Sequence, residues 1–168
     1  SRAAEPIPMP TLGGQQFWAD ELFFHQWHIQ RNTVTGHCRL LDGKNFRHKS
    51  GSYQECVDSL EAIKERKKLP SMSGKAVIVL HGLDHSHWTM EKIADFLRDK
   101  GGYEVFNVTY PSSQREIGDH ARKLKHIIEH LDGIEEINFV AHSLGNIVIR
   151  HYLGDETDPA TGRRPDPR

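Results

Sequence analysis

The chain is 168 residues long and 36% hydrophobic, with 22 Lys and Arg against 23 Asp and Glu, enough for one domain burying roughly 70% of the surface its unfolded chain exposes. So even a charge balance offers no nucleic-acid-binding field and no polyanionic partner. Its apolar runs are far too short to cross a bilayer, and it opens at Ser1 with no signal-peptide hydrophobic region, which leaves the compartment open.

Residues 1–14 are rich in Pro, Ala and Gly and read as a flexible lead-in. The aromatic side chains of Phe17, Trp18, Phe23, Phe24 and Trp27 then supply surface for packing on a sheet. Two roughly alternating runs, 26–31 and 37–41, flank the turn formers at 32–36 and predict a β-hairpin. Ser52 with Glu55 three residues on has the pattern of a capping box, and Tyr53, Cys56, Val57, Leu60 and Ile63 recur at helical spacing as far as Pro70. Cys56 falls on that apolar face, so Cys38 and Cys56 are read as reduced core thiols in preference to a disulfide.

Residues 75–81 are an apolar, mostly β-branched run between Gly74 and Gly82, the pattern of a strand covered on both faces. A helix follows with Met90, Ile93, Ala94 and Leu97 on one side and Gly101 and Gly102 as its stop; residues 103–109 make the next strand. Ser113 and Glu116 predict a second capping box, opening a helix whose Ile117, Ala121, Leu124, Ile128 and Leu131 line one stripe until Gly133. Residues 134–141 form a third strand and 144–153 a last helix. The remainder, 154–168, has frequent Pro and Gly, many charges and no large apolar residue, and reads as an exposed connection or tail. Such alternation builds a parallel sheet with right-handed crossovers, whose chemistry sits at the carboxyl ends of its strands. The expected organisation is a lead-in (1–14), an α/β body (15–153, with hairpin and helix in 15–74 and the core motifs in 75–153) and a polar segment (154–168).

The most informative stretch runs from Phe139 to Asn146, where an apolar strand meets Ser143 and a helix follows. This is the layout of a nucleophile elbow, in which a serine is held clear of its neighbours by a tight strand-to-helix turn. Small residues two before and two after the serine let strand and helix approach, and here they are Ala141 and Gly145. Gly145 fits the G-x-S-x-G pattern; Ala141 departs from it by one methyl group.

Three motifs occur in order along residues 75–153: a strand ending in His81, Gly82 and Leu83; Thr109, Tyr110, Pro111, Ser112 and Ser113 after the second strand; and the elbow around Ser143. Together they resemble the α/β-hydrolase fold and, within it, the bacterial lipase and esterase group in which a strand ends in His-Gly-Leu. The resemblance covers a little under half of the chain. It implies a nucleophile at Ser143, oxyanion donors from the backbone N–H groups of Leu83 and Leu144, and loop-shaping roles for His81, Gly82, His142 and Gly145. It also implies later strands carrying an Asp or Glu and then a His, yet only 25 residues follow Ser143 and none matches. The expected fold class is thus α/β, an α/β-hydrolase-like parallel sheet with an N-terminal β-hairpin, incomplete in its later strands, with acid and base expected beyond Arg168.

Each candidate has a blander reading. Ser143 could be an ordinary helix N-cap, but the strand, the small flanking residues and the His-Gly loop favour the nucleophile. His81 precedes the loop glycine, and the His142 ring is expected to point away from the serine, so neither replaces the triad base. His85 and His87 are read as solvated loop histidines in preference to metal ligands or acyl-pocket residues. His126, Glu129 and His130 spell H-x-x-E-H, a zinc-protease signature, but both imidazoles fall opposite the apolar stripe, on the solvated face; no metal and no cofactor is expected. Glu135 and Glu136 open a strand at its amino end, the wrong side for catalysis, and Asp155, Glu156 and Asp158 are read as solvated charges.

The expectation is a carboxylic-ester hydrolase acting on lipid or other apolar acyl esters through an acyl-enzyme on Ser143. An acyltransferase would use the same intermediate and pass the acyl group to an alcohol. The alternative from another class is a non-catalytic remnant or binding module, whose strand 134–141 would lie at an open sheet edge and invite self-association.

Overall fold

The computed structural model describes residues 9–10, 15–154 and 166–168. These residues have mixed α/β content in two sheets and four helices. Strands β1 (Met9–Pro10), β2 (Trp18–Phe24), β3 (Trp27–Asn32), β4 (Cys38–Leu41) and β5 (Phe46–Gly51) form an antiparallel sheet in the order β1-β5-β4-β3-β2. The expected hairpin is present as β3 and β4, with Gln30 opposite Arg39. Its turn is held by the Asn32 side chain, whose Oδ1 accepts from the amides of Val34 and Thr35, each at 3.0 Å. The hairpin does not extend the parallel sheet; it is the middle of a separate one. Its flanking strands escape the alternation rule, because β2 buries Asp20 and Glu21 around a bulge and β5 is polar through its centre.

Helix α1 (Tyr53–Lys67) covers this sheet and buries Cys56, Leu60 and Ile63. Its expected capping box forms: the Glu55 amide donates to Ser52 Oγ at 3.3 Å and the Ser52 amide donates to Glu55 Oε2 at 2.8 Å. Cys38 and Cys56 are buried free thiols, and burial pushes the Cys56 thiol up to about 11.

The second sheet is parallel, with β6 (Gly74–Leu80) between β7 (Glu104–Val108) and β8 (Ile134–Ala141). Helix α2 (Glu91–Gly101) lies on one face, where Ala94 packs among Val77, Val79 and Val105. Helices α3 (Ile117–Glu129) and α4 (Leu144–Gly154) cover the other. Covered on both faces, β6 is buried from Ala76 to Leu80, as its unbroken apolar run requires. Two helical expectations need correction. Ile93 of α2 faces solvent, its place taken by Ala94 with Met90 and Leu97. The Ser113 and Glu116 box does not form, because residues 111–114 are used in a turn from Pro111 to Gln114 and α3 starts only after Glu116.

Among the described residues only β6 pairs with β8 along its length, and residues 136–141 are half-buried. On its other side the Ile137 amide donates to the Arg168 carbonyl at 3.0 Å. The Arg168 guanidinium donates to the carbonyls of Leu131, Ile134 and Ile128, around the connection from α3 to β8. Most of the expected lead-in and polar tail lies outside the described residues, Asp155, Glu156 and Asp158 included. The described parts are paired, Met9–Pro10 with β5 and Arg168 with β8. No helix among the described residues is long and apolar enough to cross a membrane.

The two sheets meet at one seam. The Asp20 amide of β2 donates to the Thr109 carbonyl at 2.9 Å, and the Thr109 amide returns a bond to Asp20 Oδ2 at 2.6 Å. Beside it Phe23 packs on Phe106, ring centres 5.3 Å apart, so one core runs from α1 through both sheets to α3 and α4. His28 and His87 flank Asp20 in the same buried layer.

Burial holds both imidazoles neutral, pushing each down to about 4, and lifts the Asp20 carboxyl to about 6. Between the ordinary imidazole value of about 6.5 and about 4, the unfolded chain therefore binds protons at His28 and His87 that the folded chain refuses, so their contribution is intact above pH 6.5 and is lost on acidification. Asp20 acts oppositely, its protonation favouring the fold as pH drops below about 6, but two imidazoles outweigh one carboxyl. The thermal midpoint should fall between pH 7 and pH 4.5, with a shallower fall in His87→Asn; a midpoint that is flat or rises on acidification contradicts this seam.

Candidate active site

Ser143 follows β8 with φ +51°, in the left-handed region, which a residue with a Cβ occupies at a cost on the order of 1 to 3 kcal/mol. The turn is fixed by its neighbours. The His142 amide donates to Leu80 O at 3.0 Å, the Gly145 amide to His142 O at 3.0 Å and the Asn146 amide to Ser143 O at 3.0 Å. Asn146 Nδ2 reaches back to Ala141 O at 3.2 Å. A Cβ on Gly145 would lie 2.9 Å from both the Cβ and the carbonyl oxygen of Leu80 and 3.1 Å from Ala141 Cβ. That crowding is the physical reason for small residues on both sides of the serine.

The second segment is the loop that leaves β6. His81 is fully buried, stacks on Tyr110 with ring centres 4.3 Å apart, and donates from Nδ1 to Gly82 O at 2.9 Å. The Tyr110 hydroxyl donates to the His81 carbonyl, and burial lowers the basicity of the His81 imidazole. Gly82 touches the elbow, since a Cβ there would come 3.2 Å from Ser143 Cβ and 2.9 Å from His142 Nδ1. Beyond it Asp84 is left-handed at φ +54°, and its amide donates to Ser112 Oγ at 3.1 Å. Leu83 follows the contact glycine, and Leu144 is the first residue of α4, where N–H groups lack intrahelical acceptors. Gly82 thus meets His142 and Ser143 at the carboxyl ends of β6 and β8, with Leu83 and Leu144 next to them in the chain.

Among the described residues the Ser143 hydroxyl makes no hydrogen bond. The His142 ring lies over Gly82 and edge-on to His85, 5.9 Å between centres. His85 is solvated as expected, but His87 is not: it is 6% exposed and its Nδ1 is 2.9 Å from Thr109 Oγ1. His126 also departs from expectation, being half-buried at the wall of a cavity, with only His130 on the open face. No group of His, Cys, Asp and Glu among the described residues is placed to hold a metal. Glu136 is engaged with Lys75 at 2.9 Å at the amino end of the sheet, far from Ser143.

A polar cavity of about 320 Å³ opens beside the loop, walled by His81, Asp84, His85, Tyr110 and Ser112. The buried residues around the site that escape sequence reasoning are Asp20 and His120, polar positions whose burial depends on contacts with other elements.

Two substitutions test the geometry by denaturant melts. Ser143→Gly should stabilise the fold by up to about 1 kcal/mol, because glycine takes a left-handed turn without a Cβ clash. Gly145→Val should destabilise it by about 1 to 3 kcal/mol through overpacking on Leu80. A destabilised Ser143→Gly variant would mean that the turn is not strained. Neither a scan against protein-family models nor searches of curated proteins and of solved structures find any match to this chain.

Proposed function

We propose that the chain carries the nucleophile and oxyanion segments of a serine hydrolase of the α/β-hydrolase type, acting on carboxylic esters with apolar acyl groups. The observation that carries the reading is the contact between a left-handed Ser143 and the Gly82 loop at the carboxyl ends of adjacent parallel strands. A serine strained into that turn is costly as a mere helix cap, and the loop glycine beside it is what an oxyanion segment needs. Ser143 Oγ attacks the acyl carbonyl carbon and its proton passes to an imidazole supplied by polypeptide following α4. The amides of Leu83 and Leu144 donate to the oxyanion, worth about 3 to 4 kcal/mol per donor in related chemistry. Collapse expels the alcohol and leaves an acyl-enzyme that water hydrolyses, restoring the serine. An alcohol in place of water would make the same intermediate an acyltransferase. The apolar preference is supported by Leu83, Trp88 and Ile147, large side chains exposed on the two segments.

In the full-length protein, Ser143→Ala should lower kcat on p-nitrophenyl acyl esters at least about a thousandfold with an unchanged thermal midpoint. Retained turnover sinks the assignment.

A second reading, a non-catalytic binding module, is favoured by the unbonded Ser143 hydroxyl and by the outer edge of β8. A strand edge with unpaired N–H and C=O groups recruits another strand, and Phe139 and Val140 give this one an apolar surface. On that reading the 168-residue chain self-associates through β8. Light scattering at rising concentration should show dimers or larger species, and Phe139→Pro, which removes a donor on the same outward side as the Ile137 amide, should reduce them. A monodisperse monomer at every concentration contradicts it.

A further inference from the structure

A larger cavity, of about 490 Å³, lies between β2, the end of β7 and α3, and shares Thr109, Tyr110 and Pro111 with the polar cavity. Its size is that of small-molecule sites. The inner wall is apolar, made by Ala19, Leu80, Val108, Tyr110 and Leu124.

The rim is charged, and its charges do not cancel. The cations Arg31, Arg115, Arg122 and Lys123 line the cavity against the carboxyl groups of Asp20, Glu21 and Asp119. Asp119 is held by Arg122, one for one. Glu21 is shared between Arg31, 3.1 Å away, and Lys123, so one positive charge is left over there. Asp20 is committed to the seam, where it accepts from the Thr109 amide. Arg115 is exposed and, among the described residues, pairs with no carboxylate. Burial lowers the basicity of the His120 and His126 imidazoles that also line the cavity, so at neutral pH they add no charge. Positive charge is therefore in excess by one even with Asp20 ionised.

An apolar wall below a cationic rim asks for an apolar chain that ends in one negative charge. A neutral ligand would leave the excess unanswered, a cation would be repelled, and a dianion would overshoot it. Among singly charged heads, a carboxylate matches the planar guanidinium fork with two parallel hydrogen bonds. We infer that this cavity binds an aliphatic monocarboxylate, its chain against Leu80, Val108 and Leu124 and its carboxylate at the Arg115 rim. The site does not include Ser143 and stands whether or not the serine is catalytic.

The test titrates the full-length protein with octanoate, 1-octanol, octyltrimethylammonium and octyl phosphate, and follows the methyl resonances of Leu80, Val108 and Leu124 by ¹³C NMR at pH 7.5. Octanoate should bind saturably, shift those methyls, and bind at least about fivefold tighter than octanol or the ammonium. That advantage should shrink as salt is raised. Octyl phosphate, a dianion at this pH, should bind no tighter than octanoate. Arg115→Gln should remove the octanoate advantage and leave the octanol titration as it is, which also shows that the exposed substitution keeps the fold. Equal binding of octanoate and octanol, tighter binding of octyl phosphate, an undiminished octanoate advantage in Arg115→Gln, or shifts confined to other methyls would each overturn the proposal.

Discussion

The paired hydrogen bonds between Asp20 and Thr109 are the contact on which the rest of the structure depends. The two sheets share no continuous ladder, and at this point the edge of one is tied to the end of the other. A carboxyl group there is expensive, because burial strips its hydration; Asp20 is 1% exposed. The cost is offset by a backbone donor held at 2.6 Å and by a core that closes around it. Thr109 is followed by Tyr110, whose hydroxyl fixes the His81 carbonyl and whose ring stacks on His81. His81 sets Gly82, and Gly82 meets Ser143. A residue in the second strand of the chain is thus linked by direct contacts to the turn at position 143.

That chain of contacts explains how the elbow keeps its strained backbone. A left-handed serine persists only where its surroundings over-determine it. On one side β6, buried on both faces, supplies the Leu80 carbonyl that fixes His142. On the other, α4 is pinned by Val148, Ile149 and Tyr152 in the core. Gly145 lets the helix come down onto Leu80, so the packing that stabilises α4 also maintains the turn.

How much of this was legible in the sequence follows from the range of each signal. The hairpin, the capping box at Ser52 and Glu55, the buried run of β6 and the Ala141, Ser143, Gly145 spacing are local patterns, and each appears in the structure. The separation into two sheets was not legible. It turns on β2, where Asp20 and Glu21 are buried by contacts with Thr109, Arg31 and Lys123, and on β5, whose polar centre has no periodic pattern. His87 misled for the same reason, since the last histidine of an Asp-His-Ser-His loop looks solvated until Thr109 Oγ1 and the β2 layer come to meet it. The box expected at Ser113 and Glu116 failed because the turn from Pro111 to Gln114 had already claimed Ser113 and the helix is capped at Glu116. At β2 and at His87 a tertiary contact outweighed a local preference; at Ser113 a neighbouring turn did.

The two sides of the parallel sheet are finished differently, and Ser143 sits on the less finished one. Beyond β7 the sheet is closed by the Asp20 seam; beyond β8, among the described residues, Arg168 bonds the strand through the Ile137 amide and the Ile134 carbonyl. The Ser143 hydroxyl, without a hydrogen bond, stands at the carboxyl end of that same strand. Neighbouring strands lie about 4.8 Å apart, so a strand added in parallel to β8 would end one strand spacing from the serine. The loop after it would then be the natural carrier of an acid or an imidazole. A partner or segment that satisfies the open ladder is therefore also the one able to supply a base, whereas an antiparallel pairing with a second copy would cover the edge and leave the serine as it is. The hydrolase and binding-module readings thus diverge on the direction of one strand.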